Sequence, residues 1–434
     1  MAAAQILMPT GSATAFWREA KLKVLQGISW MLGGTLGFAV WQWSMMLFAA
    51  QLSGGADIVG RLSVALAIST PAFLLLGMSL RQIAAADVAK AHSTVEYYCV
   101  RVVSVLTAVL INIALSMFVV SEADQWLISG VSLLKAVEAL ADVSYGTMQR
   151  DGREAFAGKS QMCKALVQAV LFGCLMAGGG TVSLSLLLVA ALSLAMHLML
   201  DITDLRHGLA SSWSATRLLK IWLGCARLVR SAIQSGVAAS LIAVAAGWPR
   251  YILQQQFDST SAGLFTAAMW IFIPGHILSN AVCQSLLHRA AAANMERWSN
   301  GFARYLAGFA LVSGLVALLP FAIYLIAGIE LPGLLFGSGF EIGFDLFVWA
   351  TVTNVAVGIA SGLNYGIAAG RNYRGQLLSA LCATAVCVSI TGLLVASMKL
   401  EGAFAAVLAS ALTQAGLTAA FLVFRTSSRG MRVA

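Results

Sequence analysis

About twelve apolar stretches, each close to the twenty or so residues that a helix needs to cross some 30 Å of hydrocarbon, follow one another along this chain. They fall at 25–50, 58–80, 97–120, 125–148, 161–179, 181–201, 228–249, 262–287, 301–327, 342–368, 375–397 and 402–424. Nothing else in the sequence restricts the fold so strongly. Apolar side chains make up 59% of the 434 residues and charged ones 10%, with a mean hydropathy of +0.85. A soluble domain has roughly 25% charged residues with which to clothe its surface, so this chain takes the bilayer as its solvent. The expected fold is all-α, a polytopic membrane protein of about twelve transmembrane helices.

An even number of spans returns both termini to one side. All but four of the 27 Lys and Arg residues lie at the N-terminus, in the even-to-odd loops, at the C-terminus or in their flanks, the exceptions being Arg61, Lys135, Arg250 and Lys399. Positive-inside bias therefore places both termini in the cytoplasm, and it accounts for most of the net charge of +9 without invoking nucleic acid. The segment 1–24 lacks an apolar core followed by a small-residue cleavage site, so the first span is expected to stay in the mature protein. None of the seven Cys residues pairs with His at a ligand spacing, and neither disulfides, a metal nor any other cofactor is expected.

Marked residues recur between the halves. Gly60 and Gly263, Pro71 and Pro274, and Arg101 and Arg304 share an offset of 203, while Tyr145-Gly146 and Tyr365-Gly366 are 220 apart. The difference of 17 places an insertion between spans nine and ten, where Leu331-Pro332-Gly333 sits. Two homologous six-span repeats of the same orientation are related by a pseudo-twofold axis along the membrane normal, the architecture of an alternating-access transporter. The expected layout is a cytoplasmic segment 1–24, a six-helix bundle 25–202, a cytoplasmic amphipathic linker 203–227, a second bundle 228–424 and a tail 425–434.

Ionisable groups at bilayer depth cost about 2.5–3.5 kcal/mol each on insertion scales, so they face a partner or water. Lys135, Glu138, Asp142, Tyr145 and Gln149 in the fourth span follow a 3-4-3-4 spacing that holds them within an arc of about 80°. Two readings stand: a polar wall of a transport cavity, or a stripe satisfied within the protein, with Lys135 bonding Glu138 and Asp142 bonding a neighbouring helix. Arg101 and Arg304 open the third and ninth spans, and Arg250 closes the seventh between Trp248-Pro249 and Tyr251. Their planar, permanently charged forks suit phosphate, although helix-end arginines also snorkel to lipid headgroups. Pro71 and Pro274 are hinge candidates. Glu138, Asp142 and His276 are candidate proton sites, and His197 is a second histidine near a span.

There is no P-loop, nucleotide fingerprint or nucleophile elbow, and the outward loops are short, which argues against an enzyme. The run Lys135-x-x-Glu138-x-x-x-Asp142-x-x-Tyr145-Gly146-x-x-Gln149 resembles bacterial polysaccharide and O-antigen (Wzx-type) flippases, a branch of the multidrug/oligosaccharidyl-lipid/polysaccharide (MOP) exporter superfamily. Leu80-Arg81-Gln82-Ile83 with Asp87, Tyr98 and Arg101, then Pro249-Arg250-Tyr251 and Gly402-Ala403, extend the resemblance over nearly the whole chain. Ala86 stands where many relatives have Thr, and the chain has twelve spans where relatives have twelve to fourteen.

The resemblance implies an inner-membrane transporter that moves undecaprenyl-diphosphate-linked oligosaccharide to the periplasmic leaflet for O-antigen, capsule or exopolysaccharide synthesis. Its implied partners are that lipid-linked oligosaccharide, membrane lipids, and a polysaccharide polymerase or glycosyltransferases of the same pathway. Arg250, Lys135, Arg101 and Arg304 would then hold phosphate, while Glu138, Asp142, Tyr145 and Gln149 line the sugar path. The alternative within the superfamily is a cation-coupled small-molecule exporter, which needs a cavity dominated by acids.

Overall fold

The computed structural model describes residues 10–87, 90–202, 215–295, 299–327, 331–340, 342–369 and 372–430, and among these the regular elements are all helices. The first bundle comprises α1 (Thr10–Ser53), α2 (Gly55–Gly77), the short α3 (Leu80–Ala86), α4 (Thr94–Val119), α5 (Glu122–Arg150), α6 (Glu154–Ala177) and α7 (Val182–Leu200). The second comprises α8 (Ala215–Gln256), α9 (Ser259–Trp270), α10 (Ile273–Met295), α11 (Ser299–Ala317), α12 (Leu319–Ala327), α13 (Leu331–Phe336), α14 (Phe344–Ala369) and α15 (Tyr373–Gly430).

Nine stretches of the described residues are long and apolar enough to cross a membrane. One of them, Arg374–Leu422, is two spans, because α15 breaks at Lys399, whose φ of 52° and ψ of −123° are non-helical. With α1, and with α5 and its intramembrane charges, the total is the expected twelve.

Several boundaries differ from expectation. Residues 203–214 of the expected linker lie outside the described residues, and from Ala215 onward the segment is not a separate helix but the opening turns of α8. The ends of the tail and of the N-terminal segment, 431–434 and 1–9, also lie outside them. The eighth span is broken between α9 and α10 beside Pro274, the second residue of α10, where a missing N–H costs no helical bond. Its repeat mate Pro71 sits inside an unbroken α2. The bend after the second span comes later, at Met78 and Ser79, both held in the left-handed region at φ 49° and 52°. Such residues cost about 1–2 kcal/mol each.

The bundles meet along α2, which packs against α8 and α9. At the end away from the chain termini the backbones nearly touch: a Cβ added to Gly60 would overlap the Ser259 carbonyl oxygen, and one added to Gly263 would overlap that of Ala56. The repeat-related glycines thus face each other across the seam. The Ser259 hydroxyl bonds the Asp57 carboxylate there, and Gln51 Nε2 donates to the Leu335 carbonyl at 2.7 Å.

The extra residues between spans nine and ten form α13 and a 3-10 turn at Ser338–Phe340, with Phe336 and Phe340 fully buried. They join Trp41, Met46 and Leu62 of the first bundle and Phe265 and Phe404 of the second in one apolar core that crosses the interface. Towards the other end α2 stays on α8, with the Ser79 and Ser235 hydroxyls 2.8 Å apart, whereas α1 runs along α6 and only brushes α10.

The loop into α4 is organised by Asp87. Its carboxylate accepts from the amides of Ala91 (2.8 Å) and His92 (3.0 Å) and from the Tyr97 hydroxyl (3.2 Å), and Ser93 with Glu96 closes a capping box. Burial alone would raise the Asp87 carboxyl, but these three donors outweigh it and hold it below its ordinary 3.8. A depressed carboxylate stabilises the loop fully above the ordinary value, and that stabilisation is lost as pH falls through the depressed one. Hydrogen exchange at Ala91 and His92 is therefore expected to accelerate in Asp87→Asn at neutral pH, and the difference from wild type to vanish in acid.

Candidate functional site

The polar stripe of α5 is bonded outward to other helices and not within itself. Trp41 Nε1 on α1 donates to Glu138 Oε1 at 3.5 Å. Arg81 Nη1 on α3 donates to Asp142 Oδ1 at 2.8 Å, and the Asp142 side chain is still 45% exposed despite its mid-helix position. Two cations lie against the Tyr145 ring, with Arg81 Cζ 5.5 Å and Lys164 Nζ 4.9 Å from its centroid. Gln149 Nε2 points to Met31 Sδ at 3.5 Å.

The glycine of the Tyr145-Gly146 pair has a structural reason: a Cβ there would lie 2.6 Å from the Arg81 carbonyl, so only glycine lets α3 approach closely enough to present Arg81 to Asp142. Lys135 has no ion pair among the described residues, so the Lys135–Glu138 bond of the self-satisfied reading is not formed, while the Asp142 bond to a neighbouring helix is. Lys135 and Glu138 line a small recess with Trp41, Gln42 and Leu66.

The second bundle contributes a different chemistry. Arg250 on α8 has an Nε that is shut off from solvent and bonds to nothing, and no carboxylate pairs with this guanidinium among the described residues. Trp248 Nε1 and Gln254 Oε1, on the same helix, are also buried without partners, and the Trp248 and Tyr251 rings sit 5.6 Å apart. Arg101, 4% exposed, likewise has an orphaned Nε and lies close to Gly77. Its repeat mate Arg304 is exposed on α11. His276 Nε2 is 3.1 Å from Asn354 Oδ1, and Pro274 is exposed. The structure thus keeps the five α5 residues on one helical face, of which Lys135 and Glu138 line the recess, places Arg250 on α8 of the other bundle and leaves Arg304 exposed.

Sequence reasoning named His197 but not the buried cluster that it belongs to. Asp201, at the end of α7, accepts from Lys164, from Ser160 Oγ at 2.7 Å and from His197 Nδ1 at 3.0 Å, all of them buried. The signal was present as a lysine inside the fifth stretch of the first half and a histidine four residues before an aspartate. Breaking a buried pair leaves an uncompensated charge, at about 3–5 kcal/mol. Lys164→Met is expected to destabilise the purified protein by about that much in thermal unfolding, and adding Asp201→Asn to recover most of the loss.

No family model matches the chain. It is 21% identical over 372 residues to the capsular polysaccharide biosynthesis protein CapF of Staphylococcus aureus, covering 83% of this chain and 90% of that one. An inward-facing multidrug resistance MATE family transporter of the MOP superfamily superposes with a TM-score of 0.69, at 13% identity over 92% of this chain and 96% of that one. An outward-facing MATE family transporter gives 0.58, at 17% identity over 94% and 96%. A MOP superfamily transporter from Pyrococcus furiosus, described for the reverse polarity of its binding pocket, also gives 0.58, at 15% identity over 94% and 96%. The chain therefore has the fold of MOP-superfamily transporters, a multi-pass membrane architecture of two six-helix bundles.

Proposed function

We propose that this protein is a flippase that carries oligosaccharide linked to a polyprenyl diphosphate across the bacterial inner membrane, with both termini in the cytoplasm and the joined Gly60–Gly263 end towards the periplasm. The observation that carries the reading is the unpaired Arg250. A half-buried cation without a counter-charge is costly, and it is tolerated where a ligand supplies that charge. A diphosphate does so, and the planar fork of arginine fits its oxygens.

Lys135 on the opposite bundle, also without an ion pair, supplies a second cation, and Asp142, Arg81 and Gln149 offer donors and acceptors to sugar hydroxyls. The loose side between α1 and α10 leaves a route for the prenyl chain to stay in lipid while the head group turns. The similarity to a capsular polysaccharide biosynthesis protein supports the same substrate class. Transport of a drug cation, the reading that the MATE neighbours favour, requires net negative charge in the path, and Arg250 opposes it.

Mass spectrometry of the lipid fraction tests this reading. Depleting the protein is expected to accumulate an oligosaccharide on a polyprenyl diphosphate while surface polysaccharide falls. Unchanged lipids together with raised dye retention would replace it with small-molecule efflux.

A further inference from the structure

The end of the first bundle that faces the periplasm holds a second recess, separate from the charged wall. The ends of α1, α2 and α5 and the turn from α6 to α7 border an open recess of about 740 Å³ there, within the range of small-ligand sites. Its floor is apolar, with Leu127 and Val182 buried. Its rim carries the indole of Trp126, 64% exposed, beside Arg61, whose Nε donates to Asp124 Oδ1 at 2.6 Å. Ser121 donates to the other Asp124 oxygen at 2.9 Å, and Gly179, at φ 79° with open space beside it, presents bare backbone to the recess.

We propose that this recess is a glycan-docking subsite that takes the neutral sugars of the exported molecule on the periplasmic side; the assignment rests on the flippase reading above. A fixed guanidinium–carboxylate pair offers donors and acceptors side by side, which is what a hydroxyl-bearing ring satisfies. The indole adds a flat apolar face for the C–H face of that ring.

Charge decides against an anionic ligand. Arg61 is the sole cation of the recess and is already neutralised by Asp124, with Asp57 and Glu122 at the same helix ends. Arg61 also stands outside the positive-inside pattern, so cytoplasmic charge bias does not explain it. A tryptophan at a helix end also marks the membrane interface, but an interfacial residue of that kind gives no saccharide affinity, so binding separates the two roles.

The test uses the full chain in nanodiscs and, as probe, oligosaccharide released by mild acid from the surface polysaccharide of the producing strain, followed by saturation-transfer NMR. Wild type is expected to bind, Trp126→Ala and the recess-filling Leu187→Trp to weaken binding at least about tenfold, and Trp126→Phe to retain most of it. No binding by wild type, or equal binding by wild type and both weakened variants, overturns the subsite. Failure of the flippase reading is seen elsewhere, as the absence of accumulated lipid-linked oligosaccharide on depletion. If that lipid accumulates while Trp126→Ala binds saccharide as wild type does, the recess alone is removed from the account.

Discussion

Replacing Arg250 with alanine abolishes export while the protein stays in the membrane at normal abundance. A bidentate contact from a guanidinium to phosphate is worth about 3 kcal/mol, so the rate falls at least about 100-fold. Stability should move the other way. Arg250 Nε is buried with no partner, and removing a half-buried cation that has no counter-charge relieves part of a desolvation cost. Loss of transport together with an unchanged or raised unfolding temperature is the signature of a residue kept for its ligand. Arg250→Lys keeps the charge but not the fork, and its activity is expected between those of alanine and wild type. Surface polysaccharide staining beside a membrane immunoblot reads both quantities. A variant that exports normally removes Arg250 from the mechanism.

The second large effect is expected at Gly60. A side chain there collides with the Ser259 carbonyl, a backbone atom on α9 that has no rotamer with which to yield. Gly60→Leu must therefore push α2 and α9 apart at the end away from the termini, and Gly263→Leu does the same from the other side against Ala56. Val64 lies one turn deeper and is 2% exposed, so a cysteine introduced there reports the seal. Impermeant maleimide added outside should leave Val64→Cys unlabelled in the wild-type background and label it in the Gly60→Leu background, with export reduced at least about tenfold. Labelling that does not change would mean that the glycine contact is not what seals that end.

The twelve spans were legible because a hydrophobic run of the right length has few alternatives in a bilayer, and the repeat was legible because its landmarks are Gly, Pro, Arg and Tyr-Gly, residues that stand out in apolar sequence. The Gly60–Gly263 match gained a meaning that sequence alone does not carry, since nothing in an offset of 203 tells that two equivalent residues touch each other. The α5 stripe was legible as a face, but its partners were not. Arg81 stands 61 residues from Asp142 and Trp41 stands 97 from Glu138, and helical periodicity says nothing about pairings between helices.

Lys164 was hidden for the opposite reason. It counts as one more basic residue near a cytoplasmic flank, and only the packing of α6 on α7 turns it towards Asp201. The break at Met78–Ser79 is announced only by Gly77, one of many glycines in the chain, whereas Pro71, the stronger signal, lies inside unbroken helix. Propensity marks where a helix can bend, and packing against α8 decides where it does.

The most direct measurement is translocation by the purified protein in liposomes. A polyprenyl-diphosphate oligosaccharide is placed in the inner leaflet, and its sugars are made reactive to external periodate only after crossing. The expected result is that wild-type protein renders the glycan oxidisable, whereas Arg250→Ala liposomes match protein-free ones. Wild-type liposomes indistinguishable from protein-free ones, while the same preparation expels an organic cation against an imposed ion gradient, would contradict the account.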